Sequence, residues 1–184
     1  MRELALHLLD IAENSIAAGA KNVQIVAEED HANDRLRLAV IDDGCGMDAQ
    51  MVSRVTDPFI TTRTTRKVGL GIPLLKAAAE ACDGFLKITS AVGKGTRIDV
   101  EFRYSHIDRM PLGDLPGTWL TLLVSYPAIH WVFRYNKGSS CFEFDDALLK
   151  TEMGDIPLTE PTILTYLRQC LQEGVSGIQS SIAS

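Results

Sequence analysis

Two stretches with apolar residues at helical spacing, and two pairs of alternating apolar segments, predict an α/β (α+β) two-layer sandwich. In this fold a mixed sheet is covered on one face by helices, and a small α+β extension follows it. The third observation is a break marked by Pro111, Gly113, Pro116 and Gly117. It divides an expected first domain, residues 1–103, from an expected C-terminal region, residues 104–184.

The elements follow in order. Leu4, Leu8, Ile11, Ser15 and Ile16, with Ala5 and Ala12, recur at helical spacing, and Gly19 stands where a helix would stop. Residues 22–27 alternate through Val23, Ile25 and Ala27, and residues 35–41 through Leu36, Leu38 and Val40, which predicts a hairpin around the polar run 28–34. Asp48 is placed to cap a short helix through Val55. Residues 57–68 are rich in Thr and Arg without apolar periodicity and predict a mobile loop. A second long helix is expected from Gly69 through Leu74, Leu75, Ala78 and Ala81, stopping near Asp83 and Gly84. Strands at 85–89 and 96–102 flank Gly93 to Gly95. Beyond the break, Trp119 to Tyr126 is apolar, Asn136-Lys-Gly138 signals a hairpin between 130–135 and 140–144, and Leu164, Leu167 and Leu171 predict a helix from Pro161. The Ser-rich end from Ser176 is expected to fray.

Bulk properties narrow the classes. A chain of 184 residues, 46% hydrophobic, has enough apolar content for a folded core. Its formal charge of -6 disfavours a nucleic-acid or anionic-membrane binder, and the only basic cluster is Arg63 to Lys67. No stretch reaches 18 consecutive apolar residues, and the chain opens on a polar-interrupted helix, so a cytoplasmic protein without signal peptide or membrane contact is expected. Cys45, Cys82, Cys141 and Cys170 are scattered without a C-x-x-C pair, as expected of free thiols in a reducing compartment.

Four blocks carry the chemistry: Asp10-Ile-Ala-Glu-Asn14, Asp42-Asp-Gly44-Cys-Gly46, Gly69-Leu-Gly71 and Gly93-Lys-Gly95-Thr96. Asp10 and Asn14 lie one helical turn apart on one face, where an acid and an amide oxygen can share a water and a metal. The glycines at 44 and 46 allow a tight turn after an acid, and Gly69 and Gly71 open a helix whose free amides favour phosphate.

The order and content of these blocks resemble the ATPase superfamily that unites DNA gyrase, heat-shock chaperones, histidine kinases and MutL proteins, the GHKL group with its Bergerat-type, non-P-loop ATP-binding fold. The likeness covers residues 1 to about 103. Glu13-Asn-Ser-Ile-Ala-Ala-Gly19-Ala20 looks like the MutL form of the family's N box, whereas Asp57-Pro-Phe59 and Gly69-Leu-Gly71 look like histidine kinases. The resemblance implies that Asn14 ligates Mg²⁺ and that Asp10 orients or deprotonates the attacking group. It further implies that Asp42 accepts the adenine amino group, with Gly44, Gly46 and Met47 beneath the base. Thr62, Arg63 and Lys67 in the expected lid, Gly69, Leu70 and Gly71 at the helix start, and Thr96 in the last glycine box complete the implied ATP site. Phe59 looks like the family's F-box aromatic and is assigned no ligand.

Three departures stand out. Asp10 occupies a position where hydrolysing relatives usually have Glu, Lys67 one where kinases often have Gly, and Arg63 one where relatives often have Lys. The shorter acid leaves three readings open: a slow ATPase whose lid closure regulates a partner through residues 104–184, a stand-alone kinase acting on a Ser or His in trans, and a non-catalytic nucleotide module. His7 lies inside the first helix and reads as a packed histidine. No dimerising phosphoacceptor hairpin precedes residue 1, so a self-contained two-component sensor is not expected. A MutL-like or gyrase-like role is disfavoured by the short acidic tail.

Overall fold

The computed structural model describes residues 3–57 and 71–180. The expected lid beyond Asp57, with Phe59, Thr62, Arg63, Lys67, Gly69 and Leu70, lies outside the described residues. The chain runs α1 (Leu4–Ala17), β1 (Asn22–Asp30), β2 (Arg35–Asp42), α2 (Ala49–Val55), α3 (Gly71–Ala81), β3 (Phe85–Ser90) and β4 (Thr96–Arg103). It continues through α4 (Leu115–Ser125), β5 (His130–Lys137), β6 (Ser140–Asp145), α5 (Asp146–Met153) and α6 (Pro161–Ser180).

The strands form one six-stranded mixed sheet in the order β3-β4-β2-β1-β5-β6. Among the described residues only the β1–β5 pairing is parallel, with Ile25 opposite Phe133, while the other pairs are antiparallel. Alternation then sorts the side chains. Ile25, Leu38, Val40, Val100, Phe102 and Phe133 are buried on the face against the helices, which contribute Leu8 and Ile11 of α1, Leu75 of α3, Trp119 of α4 and Leu167 of α6 to the same core. The opposite face carries crossed ion pairs instead, among them Arg37 with Glu28 and Glu101. A hollow of ≈ 480 Å³ lies on that open face, lined by residues such as Arg37, Phe85 and Lys87, and includes none of the predicted site residues.

The expected hairpins and the capped helix α2 are present, the latter with Asp48 accepting from the Met51 N–H at 2.7 Å. Several elements run further than apolar alternation indicated. β1 continues through Asp30 because its polar residues are satisfied in place: Glu29, 7% exposed, accepts from the Tyr135 hydroxyl at 2.8 Å and lies 2.9 Å from His31 Nε2. The apolar stretch near Trp119 is helix α4, capped by Asp114, which accepts from the Gly117 N–H at 2.9 Å. The Ser-rich segment stays helical in α6 through Ser180.

Among the described residues, 104–180 hold two strands and three helices. β5 and β6 continue the first region's sheet beside β1, and α4 seals its aromatic wall, with Trp119 stacked on Phe133 at 5.1 Å between centroids. The connector also supplies carbonyls to the otherwise uncapped start of α1: Pro111 O accepts from the Leu4 N–H and Leu112 O from the Ala5 N–H, at 3.0 and 2.9 Å. A helix leaves its first amides without internal partners, so this connector is the cap of the helix that bears Asp10 and Asn14.

Candidate functional site

The first and third predicted blocks meet through α1. Asn14 is exposed and Asp10 half-buried on that helix, four residues apart and therefore on one side of it. A Cβ built on Gly71, the first residue of α3, would lie 3.3 Å from Asp10 Oδ2, so the acid is packed directly against the start of α3. Burial pushes the Asp10 carboxyl above its ordinary range. A half-desolvated carboxylate beside a helix start and an exposed amide forms a hard oxygen donor set, which suits a small divalent cation and a phosphate.

The second and fourth blocks meet around Asp42. Its Oδ2 accepts from the Ser15 hydroxyl at 2.6 Å, and its Oδ1 accepts from the Gly44 N–H at 2.9 Å and the Thr96 N–H at 3.3 Å. One carboxylate thus ties α1, the loop after β2 and the start of β4. The two glycine turns interlock behind it. Gly46 has φ +67°, and a Cβ there would fall 2.0 Å from Ala91 O; Gly95 has φ +81°, and a Cβ there would fall 1.9 Å from Asp42 O. Both positions therefore need glycine for space as well as for backbone conformation. Gly93 N–H donates to Cys45 O at 2.7 Å, and Met47 N–H donates to Ser90 Oγ at 2.8 Å.

Ser15 and Ser90 belong to this site although the sequence reading did not single them out. Ser15 is 4% exposed and sits on the apolar face of α1, where it read as core. Ser90 Oγ also lies 2.9 Å from both Gly95 O and Thr96 Oγ1, so it organises both glycine turns. The available signal was a hydroxyl at the inward position of an otherwise apolar alternation, Leu86, Ile88, Ser90.

Three neighbours lie outside the cradle itself. Asp43 caps the start of β1, accepting from the Lys21 and Asn22 N–H groups at 2.7 and 2.9 Å. His7 is 3% exposed, its Nδ1 has no hydrogen-bond partner, and burial lowers its pKa, so it is a neutral packed histidine. Glu13 points away from Asp10 and Asn14, towards the Tyr126 hydroxyl, which donates to it at 3.3 Å.

A two-layer fold with helices on one face, and a cradle made of an acid–amide helix and interlocked glycine turns, define a protein of the ATPase class already met in the sequence. The family of histidine kinase-, DNA gyrase B- and HSP90-like ATPases matches residues 1–106, and the chain belongs to that family. Among curated relatives, a sensor protein of Shewanella frigidimarina is 33% identical over 103 residues, covering 55% of this chain and 16% of its own. Sensor protein kinase FleS of Pseudomonas aeruginosa is 39% identical over 89 residues, covering 48% of this chain and 22% of its own. The chain thus spans about a fifth or less of these relatives' length. The solved catalytic domain of the histidine kinase ThkA aligns with a TM-score of 0.45 at 20% identity, over 56% of this chain and 68% of that one. Among the described residues, no helix is long and apolar enough to cross a membrane.

Proposed function

We propose that this chain binds Mg-ATP between α1, the Asp42–Met47 turn, the Ala91–Thr96 turn and the start of α3, and that it hydrolyses ATP slowly. The observation that carries this reading is the meeting of all four blocks: Asp42 bridges three elements while Asp10 sits on Gly71. Asp42 is the adenine acceptor, with Gly44, Gly46, Met47 and Thr96 shaping the seat of the base. Asn14 holds Mg²⁺, whose chemistry is to neutralise charge on the phosphates. Asp10, whose carboxyl burial holds above its ordinary range, is placed to orient or deprotonate an attacking water. Gly69, Leu70 and Gly71 receive phosphate at a helix start, and Thr62, Arg63 and Lys67 contribute hydroxyls and cations from the lid. We take residues 1–103 as the ATP-binding unit and residues 104–184 as the surface through which lid closure reaches a protein partner in the cytoplasm, without a role for nucleic acid or membrane.

A second reading is phosphoryl transfer in trans to a Ser or His of a partner. It is favoured by the relatives, since FleS, 39% identical to this chain over 89 residues, is a sensor protein kinase. A chain that binds ATP without turnover would be the third. One experiment separates them: incubate γ-labelled ATP and Mg²⁺ with wild type and Asp10→Ala, then follow released phosphate and labelled protein. Asp10-dependent release supports the ATPase, label on an added partner supports the kinase, and binding without either supports the module. Unchanged ATP affinity in both Asn14→Ala and Asp42→Asn would rule out the site.

A further inference from the structure

At the edge of the same end of the sheet, a second group of polar side chains has no part in the reading above. His130 opens β5, and Asp145 and Asp146 stand at the β6–α5 junction. His130 Nε2 lies 2.8 Å from Asp145 Oδ1 and 3.9 Å from Asp146 Oδ1, and the three donor atoms all fall within 4.8 Å of one another. For a tetrahedral ion with bonds of about 2.1 Å, neighbouring donors lie about 3.4 Å apart, so the two distances from His130 lie roughly half an ångström from that spacing and the two carboxylate oxygens would draw together by up to about 1.4 Å.

The hydrogen bonds around the His130 ring give a further reason to place a cation there. Asn22 Nδ2 donates to Asp43 Oδ2 at 2.5 Å, which fixes the Asn22 amide so that its oxygen, Oδ1, is the atom 2.9 Å from His130 Nδ1. An oxygen acceptor there requires the ring proton on Nδ1. In the neutral ring Nε2 is then a bare lone pair, facing the lone pairs of two carboxylates. Acceptors do not face each other at 2.8 Å without a positive charge between them, either a second ring proton or a metal ion.

The surroundings favour the metal. A ligating histidine ordinarily donates its other N–H to a carbonyl or carboxylate, and here the relay runs from His130 to Asn22 to Asp43. Asp146 is completely buried, with Oδ1 accepting from the Trp131 N–H at 3.0 Å and Oδ2 paired with Lys150 Nζ at 2.5 Å. The first of these leaves a lone pair of Oδ1 for a further partner. Asp145 Oδ1 also accepts from the Ala147 N–H at 2.9 Å, so its orientation is fixed. Two carboxylates and one ammonium leave a net charge of -1 beside the ring. We propose that His130 Nε2, Asp145 Oδ1 and Asp146 Oδ1 bind a divalent transition-metal ion of the zinc type, which clamps the junction of β5 and α5 and, through Asn22, the start of β1. Nitrogen and oxygen donors, three in number, suit zinc with a water in the fourth position.

The test uses the untagged 184-residue chain without nucleotide, titrated with Zn²⁺ against a chromogenic chelator and with Co²⁺ by absorption. Expected are one equivalent of Zn²⁺, Co²⁺ d–d bands without the charge-transfer bands of a thiolate, and a melting temperature that rises with Zn²⁺. His130→Ala and Asp145→Asn should each weaken Zn²⁺ at least tenfold, and Asn22→Ala, which removes only the relay, by about tenfold or more. His130 and Asp145 are partly exposed, so folded variants are expected, and circular dichroism checks this. The proposal falls if wild type shows no stoichiometric binding, if binding survives in His130→Ala, or if Co²⁺ reports the cysteines. It also falls if nitrogen NMR finds both His130 ring nitrogens protonated at neutral pH and indifferent to Zn²⁺, which would make a proton the bridging charge.

Discussion

The aromatic wall beside β5 and the turns at the ends of β2 and β4 are held by opposite means. On the β5 side, Trp119, Trp131 and Phe133 are fully buried and stacked, with centroids 5.1 and 5.7 Å apart, and the core holds through apolar area. Where the loop after β2 meets the turn before β4, the contacts are polar and the space is made by glycine: Asp42, Ser15, Ser90 and Thr96 bond to each other around Gly46 and Gly95. Apolar packing is non-directional and tolerates repacking, whereas a carboxylate with three donors has one geometry. The difference teaches that stability and site geometry are separable in this molecule, and substitutions can test that separation.

The largest effect on stability is expected from Trp119→Ala, at about 3–5 kcal/mol, because it removes the largest stacked side chain from the core. Chemical denaturation measures it. If the two regions are separable, the folded fraction still binds ATP with near-normal affinity; a parallel loss of affinity would break the comparison. The largest effect on binding is expected from Gly95→Ala. Its Cβ would strike the Asp42 carbonyl and its φ is positive, so roughly 1–3 kcal/mol of strain falls on the residues proposed to read adenine. ATP affinity, read by calorimetry, should fall by more than tenfold while the aromatic core keeps its near-ultraviolet dichroism.

Ser15→Ala sharpens the contrast with a smaller change. It leaves Asp42 Oδ2 without its 2.6 Å donor, which costs about 1.5–3 kcal/mol for a bond to a charged group. Loss of stability together with a several-fold loss of ATP affinity is expected; loss of stability alone would make Ser15 a purely structural residue. Gly113→Ala tests the contact between the connector and α1. Gly113 has φ +81°, and its Cβ would lie 2.5 Å from Glu3 Oε2, beside the carbonyls that cap α1. A destabilisation of about 1 kcal/mol is expected, with hydrogen exchange of the α1 amides accelerated first.

The same contrast explains what the sequence could reveal. Asp42, Gly46 and Gly95 were legible because acids and glycines at fixed local spacing mark turns whatever surrounds them. Ser15 was not, because its partner is 27 residues away and only the folded sheet joins them. Helix α4 was hidden for the reverse reason: Trp119, Leu120, Leu122 and Leu123 are all buried, so no polar face reveals the 3.6-residue period. Helix α5 was missed because its only buried residue is Asp146, anchored by Lys150 rather than by an apolar stripe. β1 ran on through Glu29 because a tyrosine 106 residues away satisfies that carboxylate. Local rules recovered the hairpins and the glycine turns; long-range partners decided the remainder.

The smallest expected effect on stability concerns Asp10. Its folded-state pKa is raised by burial, so the folded protein holds this proton more tightly than the unfolded chain does. Below the unfolded value of 3.8 both states are protonated and the residue is neutral in stability. As pH rises from 3.8 through the raised folded value, the unfolded state ionises first and Asp10 becomes a cost, fully present above the folded pKa. Asp10→Asn should therefore leave the melting temperature unchanged at low pH and raise it slightly at neutral pH, as read by calorimetric melting across that window. The same substitution should abolish turnover if the acid acts on the attacking group. A gain in stability joined to a loss of activity would mark Asp10 as a residue kept for chemistry rather than for the fold. A neutral-pH loss of stability would mean instead that its packing against Gly71 outweighs its desolvation.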